Sequence, residues 1–220
     1  MLTASFIWLI LSHAAVLLPI TVGLIKNKRR WLPSVTILLF TAIISSFYHW
    51  YDKDGFAENE LILNRNYGFY SLIDYYSSYL SIFTVVFYII NPRQKPEHLD
   101  ISLILISLSC QVISLLSVNW YVFFIYVTLF CLFYICLSKK TDWRLIINNI
   151  FNHPRILLLA ILFFVLAMYM QYYFCRINGA GYYYNIYHGF WHLFMFFSAG
   201  TLIFWNEKIR DNLVIDENGI

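Results

Sequence analysis

Two histidines in one apolar stretch, His188 and His192, are four residues apart. On a helix this spacing places both imidazoles on one face, where they can bind one metal ion, and imidazole suits zinc. A third imidazole, His49, ends another apolar stretch. Three histidines leave one zinc position open, which is typical of catalytic rather than structural sites. Zinc polarises a water bound there, so that hydroxide is available near neutral pH.

Two further polar side chains, Asp74 and Ser45, interrupt apolar stretches. Asp74 can orient a ligand imidazole or hydrogen-bond the water, or it can act as a general base. Ser45 precedes His49 by one helical turn, so it faces the same side and can hydrogen-bond a developing oxyanion or the ligands. Because ionisable residues inside a membrane are costly, they mark a functional site by default.

Each of these residues also has a structural interpretation. A pair of histidines at this spacing often faces a polar cavity, and His49 alone is typical of an interfacial histidine. Asp74 can belong to an interhelical hydrogen bond or a proton relay, and Ser45 can join neighbouring helices. In another alternative, Asp52 lies at the mouth of the site and belongs to it. We favour the metal site because the residues are predicted to share one depth.

The composition indicates a polytopic membrane protein. Hydrophobic residues make up 60% of the chain and charged residues 12%, whereas soluble proteins carry about 25% charged residues. Runs of about 18 or more apolar residues predict membrane spans. The predicted spans are 4–25, 32–50, 67–90, 101–118, 120–138, 156–175 and 183–205. The fold class is therefore an all-α, seven-transmembrane helix bundle over residues 1–205, with a polar tail at 206–220. A six-span alternative has a re-entrant segment within 101–138.

The basic residues predict the orientation of the bundle. Twelve of the fifteen Lys and Arg residues fall in odd-numbered connections and the tail, and such an excess marks the cytoplasmic side. The N-terminus is therefore predicted outside and the tail cytoplasmic, partly disordered beyond Asp211. The first span is predicted to stay uncleaved, because no positive charge precedes it. The same asymmetry explains the net charge of +3 without a nucleic-acid partner.

Because a helix rises about 1.5 Å per residue, the predicted topology gives the depth of each residue below the outer membrane surface. His49 lies near the outer boundary, and Asp74 lies roughly 10 Å below it. His188 and His192 lie roughly 7 and 14 Å deep. We therefore expect all four residues in the outer half of the membrane.

The remaining histidines and cysteines are expected to be structural or solvated. His13, in the first span, is predicted to be structural, and His98 and His153 to be solvated in cytoplasmic loops. The four cysteines show no CxxC spacing and are predicted to be buried apolar residues. The connection 139–155 has room for a short interfacial helix.

Taken together, the motifs resemble those of the CREST superfamily of seven-transmembrane hydrolases and receptors. The resembling residues are Ser45-x3-His49, Asp74 and His188-x3-His192, and they extend over essentially the whole chain. The sequence is most similar to the branch that contains myomaker and the GPI-specific phospholipase A2. Three segments carry this similarity: His49-x2-Asp52 followed by Gly55, Asp74-x3-Ser78, and Tyr187-His188-Gly-Phe-Trp-His192.

The resemblance implies a membrane-embedded, zinc-dependent lipid hydrolase. His49, His188 and His192 would hold Zn2+, Asp74 would assist the water, and Ser45 would support the oxyanion. A lipid of the outer leaflet would be cleaved at an acyl ester or amide. Two alternatives remain open: a myomaker-like fusion or lipid-remodelling protein with a structural zinc site, and a lipid-sensing receptor or scaffold. The expected location is the plasma membrane or a membrane of the secretory pathway.

Overall fold

The structure is a computed structural model that describes residues 4–52, 67–90, 143–177 and 182–218. These ranges are almost entirely helical, as expected from the sequence. Two predicted spans, 101–118 and 120–138, lie outside the described residues. The helices are α1 (Ala4–Ser12), α2 (Leu17–Asp52), α3 (Tyr67–Ile90), α4 (Trp143–Asn152), α5 (Pro154–Tyr169) and α6 (Tyr182–Asn218). A 3-10 turn, His13–Val16, joins α1 to α2, and a π-helix, Met170–Ile177, continues α5.

Among the residues that the structure describes, three segments are long and apolar enough to cross a membrane: Ala4–Asn27, Arg30–Trp50 and Pro154–Tyr173. They agree with the predicted first, second and sixth spans within a few residues. The protein is therefore a helical membrane protein in this part of the chain. Helix α3 coincides with the predicted third span, and α6 begins where the seventh was predicted.

Helix α2 contains the turn between the first two spans. Its backbone leaves the helical region at Asn27, with φ −157° and ψ 85°. The Asn27 side chain accepts a hydrogen bond from the backbone N–H of Arg30 at 3.2 Å, as an N-cap residue does. A Cβ on Gly23 would lie 2.9 Å from Val35 Cγ1. The backbone of the first span at Gly23 therefore packs directly against the Val35 side chain of the second span. A residue with a Cβ would not fit at position 23 without a shift of that side chain.

Helix α6 is the longest described helix, at 37 residues, and it packs against α1, α2, α3 and α5. The Ser198 hydroxyl donates to the carbonyl of Ala160 in α5 at 2.9 Å. Ala160 and Ala167 are buried, and such small residues let membrane helices approach closely. Helix α6 thus occupies the centre of the described bundle.

A buried polar cluster ties the C-terminal half of α6 to the start of the second span. Arg30 Nη2 donates to Asn206 Oδ1 at 2.9 Å, and Trp31 Nε1 donates to Glu207 Oε1 at 2.7 Å. Arg30 Nε lies 3.7 Å from the same carboxylate. Helix α6 continues to Asn218, where partial disorder was expected beyond Asp211.

Helix α4 lies in the connection where a short helix was expected. Its Asn149 side chain donates to the carbonyl of Trp205 at 3.1 Å, which joins α4 to α6. The backbone breaks at His153, and Pro154 begins α5, a position that suits proline because its missing N–H is not needed there.

Candidate metal centre

Three imidazoles from two distant parts of the chain meet in the bundle. Nε2 of His49 lies 3.1 Å from Nε2 of His192 and 3.1 Å from Nε2 of His188. All three side chains are buried. The end of the second span and the first third of α6 therefore bring together the three histidines that the sequence singled out.

The two nitrogen separations at His49 suit a tetrahedral metal ion. Two nitrogens bound to one zinc at about 2.0–2.1 Å are separated by roughly 3.3 Å in tetrahedral geometry. The observed separations of 3.1 Å lie close to this value. A neutral imidazole carries one proton, so a proton on His49 Nε2 can point at only one of its two neighbours. A cation at the point of convergence would satisfy all three lone pairs.

The ring of His188 is oriented by a hydrogen bond and by stacking. Its Nδ1 lies 3.1 Å from Oε1 of Gln171. The amide oxygen can only accept, so Nδ1 carries the proton and Nε2 keeps its lone pair. The ring also stacks on Tyr184 and Trp191, with centroids 5.0 Å away in each case. A hydrogen-bond acceptor such as Gln171 fixes the tautomer and the direction of a ligating histidine.

Gln171 owes its position to the π-helix that follows α5. This segment, Met170–Ile177, is wider than an α-helix, and π-helical turns are rare and frequently found at functional sites. The extra residue in the turn changes the direction of the following side chains. Gln171 is thereby directed at His188 across the contact between the π-helix and α6.

Asp74 and Ser45 form a second polar pair next to the histidines. The Ser45 hydroxyl hydrogen-bonds to the Asp74 carboxylate, and both side chains are buried. The other carboxylate oxygen, Oδ1, has no hydrogen-bond partner among the described residues. Ser45 precedes His49 by one helical turn, which is about 6 Å along the helix axis. Ser45 therefore orients Asp74, while its predicted role at an oxyanion stays a prediction.

His13 joins the cluster as a fourth imidazole. One ring nitrogen each of His13, His49 and His192 lies within 4.8 Å of the others. The rings of His13 and His192 have centroids 3.9 Å apart. His13 was expected from the sequence to be structural, but it faces the candidate metal centre.

A depth argument from the sequence would have found His13. It lies nine residues after Ala4, the first described residue, so the rise of a helix places it about 14 Å deep, at the depth predicted for His192. Gln171 is a polar residue in an apolar stretch and gave a weaker signal, because a π-helix has no sequence pattern that predicts it. Asp52 lies at the end of α2, and its side chain is not among those described.

Tight packing holds α1 against the segment that carries the two histidines of α6. Trp8 Nε1 donates to the carbonyl of Ile186 at 3.0 Å. A Cβ on Gly189 would clash with the Trp8 indole, reaching Cδ1 at 2.8 Å. Glycine between His188 and His192 therefore lets α1, and with it His13, approach the cluster.

Sequence comparison places the chain in a family. The profile of a family described as protein of unknown function (DUF3522) matches residues 1–193. The chain belongs to this family. The matched region includes Ser45, His49, Asp74, His188 and His192 and ends directly after the last of them. Searches of curated proteins and of solved structures gave no match.

Proposed function

We propose that the protein is a membrane-embedded, zinc-dependent lipid hydrolase of the CREST type. The observation that carries this proposal is the convergence of His49 Nε2 on the Nε2 atoms of His188 and His192, at 3.1 Å from each. In the proposed topology seven spans cross the bilayer, with the N-terminus outside and the tail in the cytoplasm. The histidines then lie in the outer half, in reach of outer-leaflet lipids.

In this proposal His49, His188 and His192 hold Zn2+. A zinc ion with an open position acts as a Lewis acid on a carbonyl group or on water. Gln171 keeps His188 in the tautomer whose Nε2 carries a lone pair. The aromatic rings of Tyr184 and Trp191 pack on that imidazole and shield it from water.

Asp74 is the proposed general base and then the general acid. Its Oδ1 is buried and has no hydrogen-bond partner in the described part of the chain, so it can accept the proton of a water that adds to an acyl carbon. The bond from that carbon to the ester oxygen or amide nitrogen then breaks, and Asp74 returns the proton to this leaving atom. Ser45 keeps the carboxylate in place. The products are a fatty acid and an alcohol or amine.

The substrate class follows from the surroundings of the site. The described spans expose large apolar side chains such as Leu39, Ile43 and Leu162, as expected for surfaces that face lipid. A cluster buried within such a bundle is in reach of a membrane lipid that enters between helices. We therefore expect an acyl ester or amide of a membrane lipid as substrate, in the plasma membrane or a secretory membrane.

A fatty-acid release assay tests this function. The protein, purified in detergent, is incubated with phospholipids, ceramides and GPI lipids, with and without a zinc chelator. We expect release that is abolished by chelation and by His192→Ala, and unchanged in the control His153→Ala, whose ring lies at the α4–α5 break. Release that persists in H192A would contradict the proposal.

One observation favours a second candidate, a myomaker-like fusion protein with a structural zinc site. Four imidazoles surround the centre, and four-ligand zinc sites are typically structural. Zinc bound without turnover, together with mixing of cells that express the protein, would support this function instead.

A further inference from the structure

His13 is buried at a break in the helical path, beside the histidines of the candidate metal centre. It is the first residue of a 3-10 turn between α1 and α2, and short 3-10 segments within a helical path often mark hinges or strain. Its side chain is 4% exposed. The ring contacts His192 and, with centroids 5.6 Å apart, His49.

The protonation state of His13 follows from its backbone contacts. Nδ1 lies 3.0 Å from the carbonyl oxygen of Leu9 and 3.3 Å from that of Ile10. Carbonyl oxygens only accept, so Nδ1 carries the proton and Nε2 carries a lone pair. Nε2 is buried and has no hydrogen-bond partner among the described residues. Leaving a buried hydrogen-bond acceptor without a partner costs free energy. A metal ion at His13 Nε2 would remove that cost, and the ring is in the tautomer that can bind one.

His13 differs from the other three histidines in its distance from their meeting point. The Nε2 atoms of His188 and His192 both contact Nε2 of His49 at 3.1 Å. His13 Nε2 has no such contact, although its ring lies 3.9 Å from that of His192. Direct contacts through His49 therefore link three imidazoles, which we call the inner set, while one nitrogen of His13 lies within 4.8 Å of those of His49 and His192.

We infer that His13 is an exchangeable fourth nitrogen ligand of the metal centre. This inference rests on the proposed zinc site. In the resting protein four imidazoles close the centre, as in structural zinc sites. When His13 withdraws, through movement of the 3-10 turn, one position opens to a substrate carbonyl or to solvent. The same centre thus has a protected state and a reactive state.

X-ray absorption at the zinc edge counts imidazole ligands and tests this inference without turnover. We expect four imidazoles in the wild-type protein and three in His13→Phe, which keeps a ring against His192 but has no donor. His13→Gln is a second variant, in case the apolar ring disturbs folding, and should also show three. Zinc affinity, measured by chelator competition, should fall by about tenfold or more in both variants. The control His153→Gln should leave count and affinity unchanged.

Exchange is tested by adding a fatty-acyl hydroxamate, which binds zinc through two oxygens. At saturation we expect the wild-type count to fall from four imidazoles to three, and the H13F count to stay at three. Three results would overturn the inference. They are an equal imidazole count in the wild type and both variants, loss of all zinc from folded H13F, and four imidazoles retained in the wild type with hydroxamate bound. Absence of zinc from the wild-type protein would instead overturn the proposed metal centre itself.

Discussion

The indole of Trp8 lies against the backbone of Gly189, the residue that follows one histidine of α6 and precedes the other by three positions. This contact and the hydrogen bond from Trp8 to the Ile186 carbonyl set the distance between α1 and α6. The distance between these two helices in turn decides how near His13 comes to His192.

Gly189→Ala is expected to disturb the metal centre through this contact. The new methyl group would lie 2.8 Å from Trp8 Cδ1, and overpacking of this kind costs about 1–3 kcal/mol of stability. Thermal unfolding and zinc affinity should both fall. In the control Gly200→Ala the nearest atoms are Leu18 Cγ at 3.1 Å and the Pro19 backbone nitrogen at 3.3 Å. This overlap is smaller and lies eight residues beyond His192, so zinc affinity should be retained. Wild-type zinc affinity in G189A would contradict this account of the packing.

Gln171→Leu is expected to lower zinc affinity about 10- to 100-fold, the range found when a partner of a ligating histidine is removed. The variant keeps the size of the side chain but removes the acceptor for His188 Nδ1. Gln171→Glu keeps an acceptor at the same position and should retain most of the affinity. Chelator competition measures both. Equal affinities in Q171L and Q171E would show that the hydrogen bond does not orient the imidazole.

Asp74→Asn is expected to separate chemistry from metal binding. The amide is nearly isosteric with the carboxylate but cannot accept the proton, so fatty-acid release should fall by about 100- to 10,000-fold. Zinc content should stay as in wild type, because Asp74 is bonded to Ser45 rather than placed among the imidazoles. Ser45→Ala, which frees Asp74 to change rotamer, should reduce release by a smaller factor. Full release by D74N would rule out Asp74 as the base.

Glu207→Ala is expected to destabilise the bundle without emptying the metal centre. It leaves the buried Arg30 without its carboxylate, and breaking a buried pair in this way costs about 3–5 kcal/mol. Glu207 lies fifteen residues beyond His192, or about 22 Å along α6, so zinc affinity of the folded protein should not change. Thermal unfolding in detergent and chelator competition measure the two effects. A melting temperature equal to that of wild type would contradict the role given to this cluster.

Sequence patterns predicted the parts of the fold that depend on long apolar runs. The first, second and sixth predicted spans match apolar helical segments of the structure, because a long apolar run is itself the signal for such a segment. Depth arithmetic predicted that His49 and the α6 pair meet, since helix rise and direction fix the level of each side chain. The number of spans and the orientation stay predictions.

Features that arise from packing between helices were not predictable from one sequence. The site of Gln171 depends on a π-helix, and the approach of His13 depends on Trp8 fitting over Gly189. The contacts of Asn206 and Glu207 with the start of the second span join residues 176 positions apart. In each case a contact between segments far apart in the chain overrides the local pattern.

Zinc content of the protein purified in detergent is the most direct test of the central claim, that His49, His188 and His192 hold one metal ion. We predict about one zinc per wild-type chain and an equal content in the control H153A. Content should fall close to zero in His49→Ala and in His192→Ala, each of which removes an inner ligand. Wild-type protein free of zinc, or H49A with the wild-type content, would contradict the account.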